Sequence, residues 1–294
     1  MNYNLTIIIP CYNESLNIPK VIPMVLDFSI KNNIDLIVVN DGSKDDSLNQ
    51  LMKFKSDKYT VISHKVNLGY GAAIKTGIRE CATDFCITID ADGQHDLNDV
   101  LCLSEFQRLN DADLVIGNRN FGGSTKFRNF GKRLIYGFTT AFIKLNIKDL
   151  NSGMKLYRTH VVKSLIRWTP DSMAYSDIVT LMHVVLKYKI VEIDISINNR
   201  IEGKSTINYR TAIDTVKEIS FIIVNIFPLR FFTIVSLILI SGSMIWSMPF
   251  VLSGRGMTVG GSLLFLCGLI VFLQGIVLEI FCRSKFENYE RIRN

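Results

Sequence analysis

Ile87-Thr88-Ile89-Asp90-Ala91-Asp92-Gly93-Gln94-His95-Asp96 is the stretch from which the fold can be read. The apolar run 85–89 predicts a short buried strand, and the carboxylates begin where that strand must end. Asp90 and Asp92 are separated by one residue, so at a strand terminus both can turn toward one point. Gly93 allows the backbone to bend without a Cβ penalty, and Gln94 adds a neutral oxygen. Two hard carboxylates, an amide oxygen and room for water describe a Mg²⁺ or Mn²⁺ site on Asp90, Asp92 and Gln94, suited to gripping substrate phosphates. The same residues also fit an acidic loop in which Asp96 caps a helix starting near Leu97.

Outward from this stretch, strand and helix alternate. Residues 5–9 form an apolar strand stopped by Pro10, and Asn13 or Ser15 is placed to cap a helix carrying Ile18, Val21, Ile22, Val25 and Leu26 on one face. Strand 35–39 ends in Asn40-Asp41-Gly42-Ser43. Strand 59–63 leads to Asn67-Leu68-Gly69-Tyr70-Gly71-Ala72 and a helix through Ala82. Short connections between such units predict an α/β fold with a mainly parallel, doubly wound sheet. Tyr12, Glu14, Asp41, Gly69, Gly71, Asp90 and Asp92 then recur at the carboxyl ends of the strands, the edge where open α/β sheets bind ligands. Gly69-x-Gly71 imitates a dinucleotide fingerprint, but Ile74 stands at the third glycine position. Close backbone approach to a phosphate or sugar, or a plain helix start, accounts for it better.

These motifs resemble the pattern of glycosyltransferase family 2 on the GT-A nucleotide-sugar fold. The resemblance is carried by Ile7-Ile8-Ile9-Pro10-Cys11-Tyr12-Asn13-Glu14, Val38-Val39-Asn40-Asp41-Gly42-Ser43, the glycine stretch 67–72 and Asp90-Ala91-Asp92-Gly93-Gln94-His95-Asp96, in that order. It implies that Pro10, Tyr12, Glu14, Val39 and Asp41 hold the nucleotide, with Gly71 and Ala91 beside it. It also implies that Asp90, Asp92 and Gln94 hold a divalent metal on the diphosphate, which would act as a Lewis acid. Asp149-Leu150-Asn151-Ser152-Gly153-Met154-Lys155 is similar to the loop of the branch that glycosylates polyprenyl phosphates, which implies Ser152 near the acceptor. Arg200-Ile201-Glu202-Gly203-Lys204-Ser205-Thr206 resembles that branch's mobile loop, implying Arg200 and Lys204 on the diphosphate. The chain departs from many members in having Thr206 for Lys and Gly137 for Ser.

Charge points to the acceptor. Residues 119–167 hold eleven cations, from Arg119 to Arg167, against the single acid Asp149, so an anionic partner is expected. Arg119 closes the strand 114–117 at the functional edge. Lys132-Arg133 shares an amphipathic stretch with Phe130, Leu134, Phe138, Phe142 and Ile143, so that a lipid phosphate would meet Arg119 and Arg133 while its chain met apolar residues. A phosphate nucleophile is already largely ionised at neutral pH and needs no strong base. Were the acceptor instead a hydroxyl, Asp177 is the candidate base, its other reading being a helix cap.

Mean hydropathy is +0.24 although 20% of residues are charged, which predicts an uneven chain. Residues 231–252 carry no charge, and 262–281 are apolar except Gln274 and Glu279. At about 20 residues each, both can cross a bilayer. The expected organisation is a cytoplasmic catalytic domain over 1–210, an interfacial helix over 211–229, a transmembrane hairpin over 230–282 and a basic tail over 283–294. Arg230, Arg283, Lys285, Arg291 and Arg293 place both ends in the cytoplasm, with Arg255 in the outer turn as the exception. No secretory signal and no nucleic-acid partner are expected, and six cysteines without a regular framework predict reduced thiols. Gly242, Gly268 and Gly275 would permit close helix packing and leave a homo-oligomer open. The expected partners are therefore a nucleotide sugar, a polyprenyl phosphate and the membrane.

Overall fold

The computed structural model describes residues 4–119, 147–198, 217, 220, 224 and 227–293. These fall into two units, one built on a sheet and the other on two long helices.

In the first unit the elements run β1 (Leu5–Cys11), α1 (Ile18–Asn32), β2 (Asp35–Asn40), α2 (Ser47–Leu51), β3 (Tyr59–Ser63), α3 (Tyr70–Glu80), β4 (Phe85–Thr88), α4 (Leu97–Asn110) and β5 (Leu114–Arg119). They continue with β6 (Lys155–Arg158), α5 (Thr159–Leu165), a 3₁₀ turn at Ile166–Trp168, α6 (Tyr175–Val185) and β7 (Ile190–Ile195). The strands form a seven-stranded sheet in the order β3-β2-β1-β4-β6-β5-β7. β1 pairs in parallel with β2 and β4, β2 with β3, and β5 with β7. β6 alone runs antiparallel, between β4 and β5. The sheet is therefore mixed, and β6 had no counterpart in the sequence reading. Lys155-Leu156-Tyr157-Arg158 is only four residues long and shows no alternation, so its strand state follows from its two neighbours.

β1 lies centrally, and Ile7, Ile8 and Ile9 are fully buried, each such side chain stabilising the fold by roughly 1.5–3 kcal/mol. The expectation that Pro10 ends this strand fails, since pairing runs on through Pro10↔Val39 to Cys11↔Asn40. β4 stops opposite Ile8, so the side of β1 on which Pro10 lacks an N–H no longer has a ladder to serve. The cap of α1 also differs. Its N-cap is Asn17, whose side chain makes no capping bond to the helix and donates to Glu14 instead. Asn13 Oδ1 instead accepts from Lys44 N at 2.8 Å, and Ser15 N donates to Asp45, tying the loop after β1 to the loop after β2. Asp96 does cap α4, accepting from Asn98 N at 2.9 Å. The six cysteines are all free thiols.

The chain reverses direction across the sheet between β1 and β4, and a crevice opens at the carboxyl ends of strands at such a switch point. The residues following β1, β2 and β4, and Arg119 at the end of β5, all lie at this edge. Because β6 is antiparallel, the loop that enters it at Lys155 reaches the same edge.

In the second unit, α7 (Pro228–Leu252) and α8 (Val259–Arg293) pack side by side. Their spans Pro228–Leu252 and Val259–Cys282 are long and apolar enough to cross a membrane. Only 17% and 11% of the residues in their most apolar windows are buried, far too few for core helices of a soluble protein. A Cβ on Gly268 would lie 2.7 Å from Ile240, and one on Gly275 2.7 Å from Phe232, so these glycines set the closeness of the pair. Gly242 does not, meeting only Leu264 at 3.6 Å. Ser236 and Ser243 donate to the carbonyls of Gly268 and Gly261. Gly268 and Gly275 thus serve contact within the hairpin. Of the expected interfacial helix, 217, 220 and 224 are helical and the rest of 211–226 lies outside the described residues.

One core group makes acid stability predictable. His183 on α6 is fully buried, with Nδ1 2.7 Å from the Val179 carbonyl and no partner at Nε2. Burial pushes its pKa down to about 4, with the Val179 bond pulling weakly upward. The native state thus binds fewer protons than the unfolded chain between pH 6.5 and 4, so stability present above 6.5 is lost as pH falls through that window. The loss amounts to roughly 3 kcal/mol. Melting of the full chain in detergent between pH 4 and 7 should show this slope, and His183→Phe should flatten it; an unchanged slope in the variant would reject the assignment.

Candidate active site

The strand β4 ends at Thr88, and Asp90 follows at the switch-point edge. Its Oδ1 accepts from the Tyr70 hydroxyl at 3.1 Å, and its Oδ2 lies 3.5 Å from His95 Nε2. Burial by itself would raise the Asp90 pKa; hydrogen bonding and charge from His95, the Tyr70 bond and the charge of Arg119 outweigh it and hold the carboxyl below its usual range. Burial and the neighbouring Asp90 push Tyr70 well up, so it remains a neutral donor. Asp92 is 4% exposed and accepts from Gln94 N at 3.1 Å. Between them Gly93 takes φ 74°, the left-handed conformation that the turn requires and that glycine adopts without strain. Gln94 is held to Asn198 through its carbonyl, at 2.9 Å, and through its side-chain amide.

A second wall comes from the loop before β6. Gly153 packs so closely on Asp90 that a Cβ there would lie 2.4 Å from Oδ2. Thr88 Oγ1 donates to the Gly153 carbonyl at 2.8 Å. Asp149, at the start of the loop, takes Arg119 in a two-pronged pair, Nε–Oδ2 2.7 Å and Nη2–Oδ1 3.0 Å, and Arg119 also donates to Asn151 O. Burial alone would lower the Arg119 pKa, but the Asp149 bonds and charge raise it, so the guanidinium is firmly cationic. The loop thereby brings the Asp90 carboxylate beyond β4 and the cation at the end of β5 to one place. His95, Tyr70, Asp149 and Gly153 were not singled out for these roles in the sequence. A QHD tripeptide or a lone glycine carries no signal until the partner strand is known.

Other expected residues have varied fates. Tyr12 is 39% exposed at the edge, whereas Pro10, Val39 and Ala91 are buried in the strands or directly beyond them. Glu14 accepts from the Asn17 amide. Asp41 is buried and committed internally, binding Leu68 N, Gly69 N and His64 Nδ1 at 2.9, 2.8 and 2.7 Å. The amides of Gly71 and Ala72 donate to the Asp171 carbonyl, so the glycine stretch packs on the 170–172 loop. Ser152 is 1% exposed and its hydroxyl donates to Gly117 O at 2.6 Å, which turns it inward. Asp177 is 5% exposed and its charge acts on Lys155. Arg133, Arg200 and Lys204 lie outside the described residues.

A divalent cation is implied by the resemblance. Among the described residues no three His, Cys, Asp or Glu side chains group together. The donors available are two carboxylates and the Gln94 amide oxygen, all hard, with Asp90 held anionic. That set fits Mg²⁺ or Mn²⁺, which retain positions for water and substrate phosphate.

Known proteins agree with this architecture. The chain is 26% identical over 247 residues to dolichyl-phosphate beta-glucosyltransferase of Dictyostelium discoideum, covering 74% of this chain and 73% of that protein. It is 26% identical over 247 residues to undecaprenyl-phosphate 4-deoxy-4-formamido-L-arabinose transferase of Pectobacterium atrosepticum, covering 81% and 73%. Among solved structures, glucosyl-3-phosphoglycerate synthase of Mycobacterium tuberculosis with Mn²⁺, UDP-glucose and glycerol 3-phosphate superposes with a TM-score of 0.58 at 16% identity, covering 73% of this chain and 78% of that one. S. aureus TarS with UDP gives 0.54 at 18% identity, covering 76% and 66%. These two likenesses bear on the fold alone. The model of glycosyl transferase family 2 matches residues 6–166, more than half the chain and the whole run from β1 through the carboxylate turn to the loop that closes on it, so the chain belongs to glycosyl transferase family 2.

Proposed function

We propose that this protein is a membrane-bound inverting glycosyltransferase that moves a hexose from a nucleotide sugar to the phosphate of a polyprenyl phosphate. One observation supports this most: the carboxylates Asp90 and Asp92 share a sheet edge with a guanidinium, Arg119, fixed by Asp149. The names of the two curated relatives, both lipid-phosphate sugar transferases, point the same way.

In this reading Tyr12, Glu14 and the buried frame of Pro10, Val39 and Ala91 receive the nucleotide, and Asp41 shapes its pocket by pinning the 67–69 loop. Asp90, Asp92 and Gln94 would hold Mg²⁺ or Mn²⁺, which when bound neutralises charge growing on the departing diphosphate. Arg119, with Arg133, orients the acceptor phosphate, whose oxygen displaces the nucleoside diphosphate at the anomeric carbon in one step. Ser152 supports the loop rather than touching substrate, and Arg200 and Lys204 belong to a segment meeting the diphosphate. Asp177, the base a hydroxyl acceptor would need, is buried with its charge acting on Lys155. The hairpin anchors the enzyme in the cell membrane, with residues 1–210 and the tail in the cytoplasm on the positive-inside bias.

Membranes containing the protein, given labelled UDP- and GDP-sugars with Mg²⁺ or Mn²⁺, should move label from one donor into a mild-acid-labile lipid. Label appearing only in a mild-acid-stable glycolipid or glycan would overturn the phosphate acceptor.

A further inference from the structure

Lys155 opens β6, and its side chain is fully buried. Its ammonium donates to Leu150 O at 2.6 Å, Ser176 O at 2.5 Å and Ser176 Oγ at 2.6 Å, which saturates all three N–H groups. Ser176 Oγ in turn donates to Ser152 O at 2.7 Å, and Ser152 Oγ to Gly117 O. The ammonium therefore ties the 149–153 loop to the first turn of α6 and, through Ser152, to β5. At its other end the loop is held by Glu192 on β7, whose carboxylate accepts from Lys148 N and Asp149 N. Between these two anchors stand the groups that touch the site, Asp149 on Arg119 and Gly153 on Asp90.

A buried lysine is an expensive way to hold a loop, because desolvation disfavours its charge. Here burial lowers its pKa, with the carboxylates Asp177, Asp149 and Glu192 opposing that and Arg119 adding to it. An apolar side chain would fill the same space but take the donor from Leu150 O and Ser176 Oγ, and leave Ser176 O only the Thr180 hydroxyl among side-chain donors.

We propose that Lys155 is a positioning residue for the transfer reaction: by holding Leu150 and Ser176 it sets the loop that aligns Arg119 with Asp90, and so the acceptor with the donor. This rests on the function proposed above. It assigns to Lys155 an action on acceptor binding and turnover rather than on nucleotide affinity, since the nucleotide side is built from the loops after β1 and β2.

The test uses the full-length protein in detergent, with Lys155→Met and, as a milder change that keeps the Ser176 carbonyl, Ser176→Ala. Hydrogen exchange of peptides spanning 147–154 and steady-state kinetics with varied polyprenyl phosphate are read together with nucleotide binding. Lys155→Met should speed exchange in the loop, lower kcat/KM for the acceptor about 10²-fold, as expected for misplaced catalytic groups, and leave nucleotide affinity within about twofold. Ser176→Ala should move the same quantities in the same direction by less. Unchanged loop exchange overturns the proposal. So does faster exchange with unaltered acceptor kinetics, or a loss of nucleotide binding equal to the loss of turnover in both variants. Failure of the function reading would look different: wild type would transfer nothing to polyprenyl phosphate. The exchange comparison would then still decide whether Lys155 holds the loop.

Discussion

Asp92→Asn should reduce sugar transfer at least about 10²-fold, with kcat taking most of the loss, and leave the melting temperature close to that of wild type. Asp92 is nearly buried at the switch-point edge and accepts from Gln94 N, a bond that an amide oxygen can still accept. The change therefore keeps shape and turn but removes a negative charge from a donor set of two carboxylates. Each factor of ten corresponds to about 1.4 kcal/mol of transition-state stabilisation, and a bound cation supplies several kcal/mol at such a site. Chelation of Mg²⁺ and Mn²⁺ should lower wild-type transfer to the level of the variant. Retention of more than a third of the activity in Asp92→Asn, in membranes with equal protein, would remove this residue from the site.

Gly153→Ala should cost about 10–100-fold in transfer, the range in which changes beside a metal ligand typically act, although only a methyl is added on a buried turn. The added carbon would stand 2.4 Å from Asp90 Oδ2 and 3.1 Å from its Cγ. The carboxylate has nowhere to turn without leaving Tyr70 or His95, which hold its two oxygens. Displacement of Asp90 should appear as a higher Mn²⁺ concentration for half-maximal activity, with polyprenyl phosphate KM changed less. Should Gly153→Ala behave as wild type in a Mn²⁺ titration, the packing of this loop against Asp90 has no part in the chemistry.

Both predictions concern residues whose meaning is set by contacts across the sheet, and they show where the sequence is legible. Asp90, Asp92 and Gln94 stood out because carboxylates at single spacing follow an apolar run, the pattern of a strand terminus. The β–α order from β1 to β4, the Asp96 cap and the two membrane-length helices are equally local: periodicity, turn chemistry and length decide them within some 20 residues. Lys155, Ser152, Asp149 and His95 were not legible in this way. Lys155 and Ser152 sit in a loop that looked like an acceptor contact, and they face inward only because β6 inserts antiparallel between β4 and β5. Asp41 and Gly71 carry the pattern of ligand contacts, yet their polar groups are satisfied by the 67–69 and 170–172 loops, the second of them about 100 residues away along the chain. By itself the sequence determined the β–α order from β1 to β4, the strand ends at which polar residues recur and which part is apolar enough for a bilayer. The tertiary structure decided which polar groups at that edge are already partnered, because a buried donor or acceptor must be satisfied wherever its partner lies in the chain.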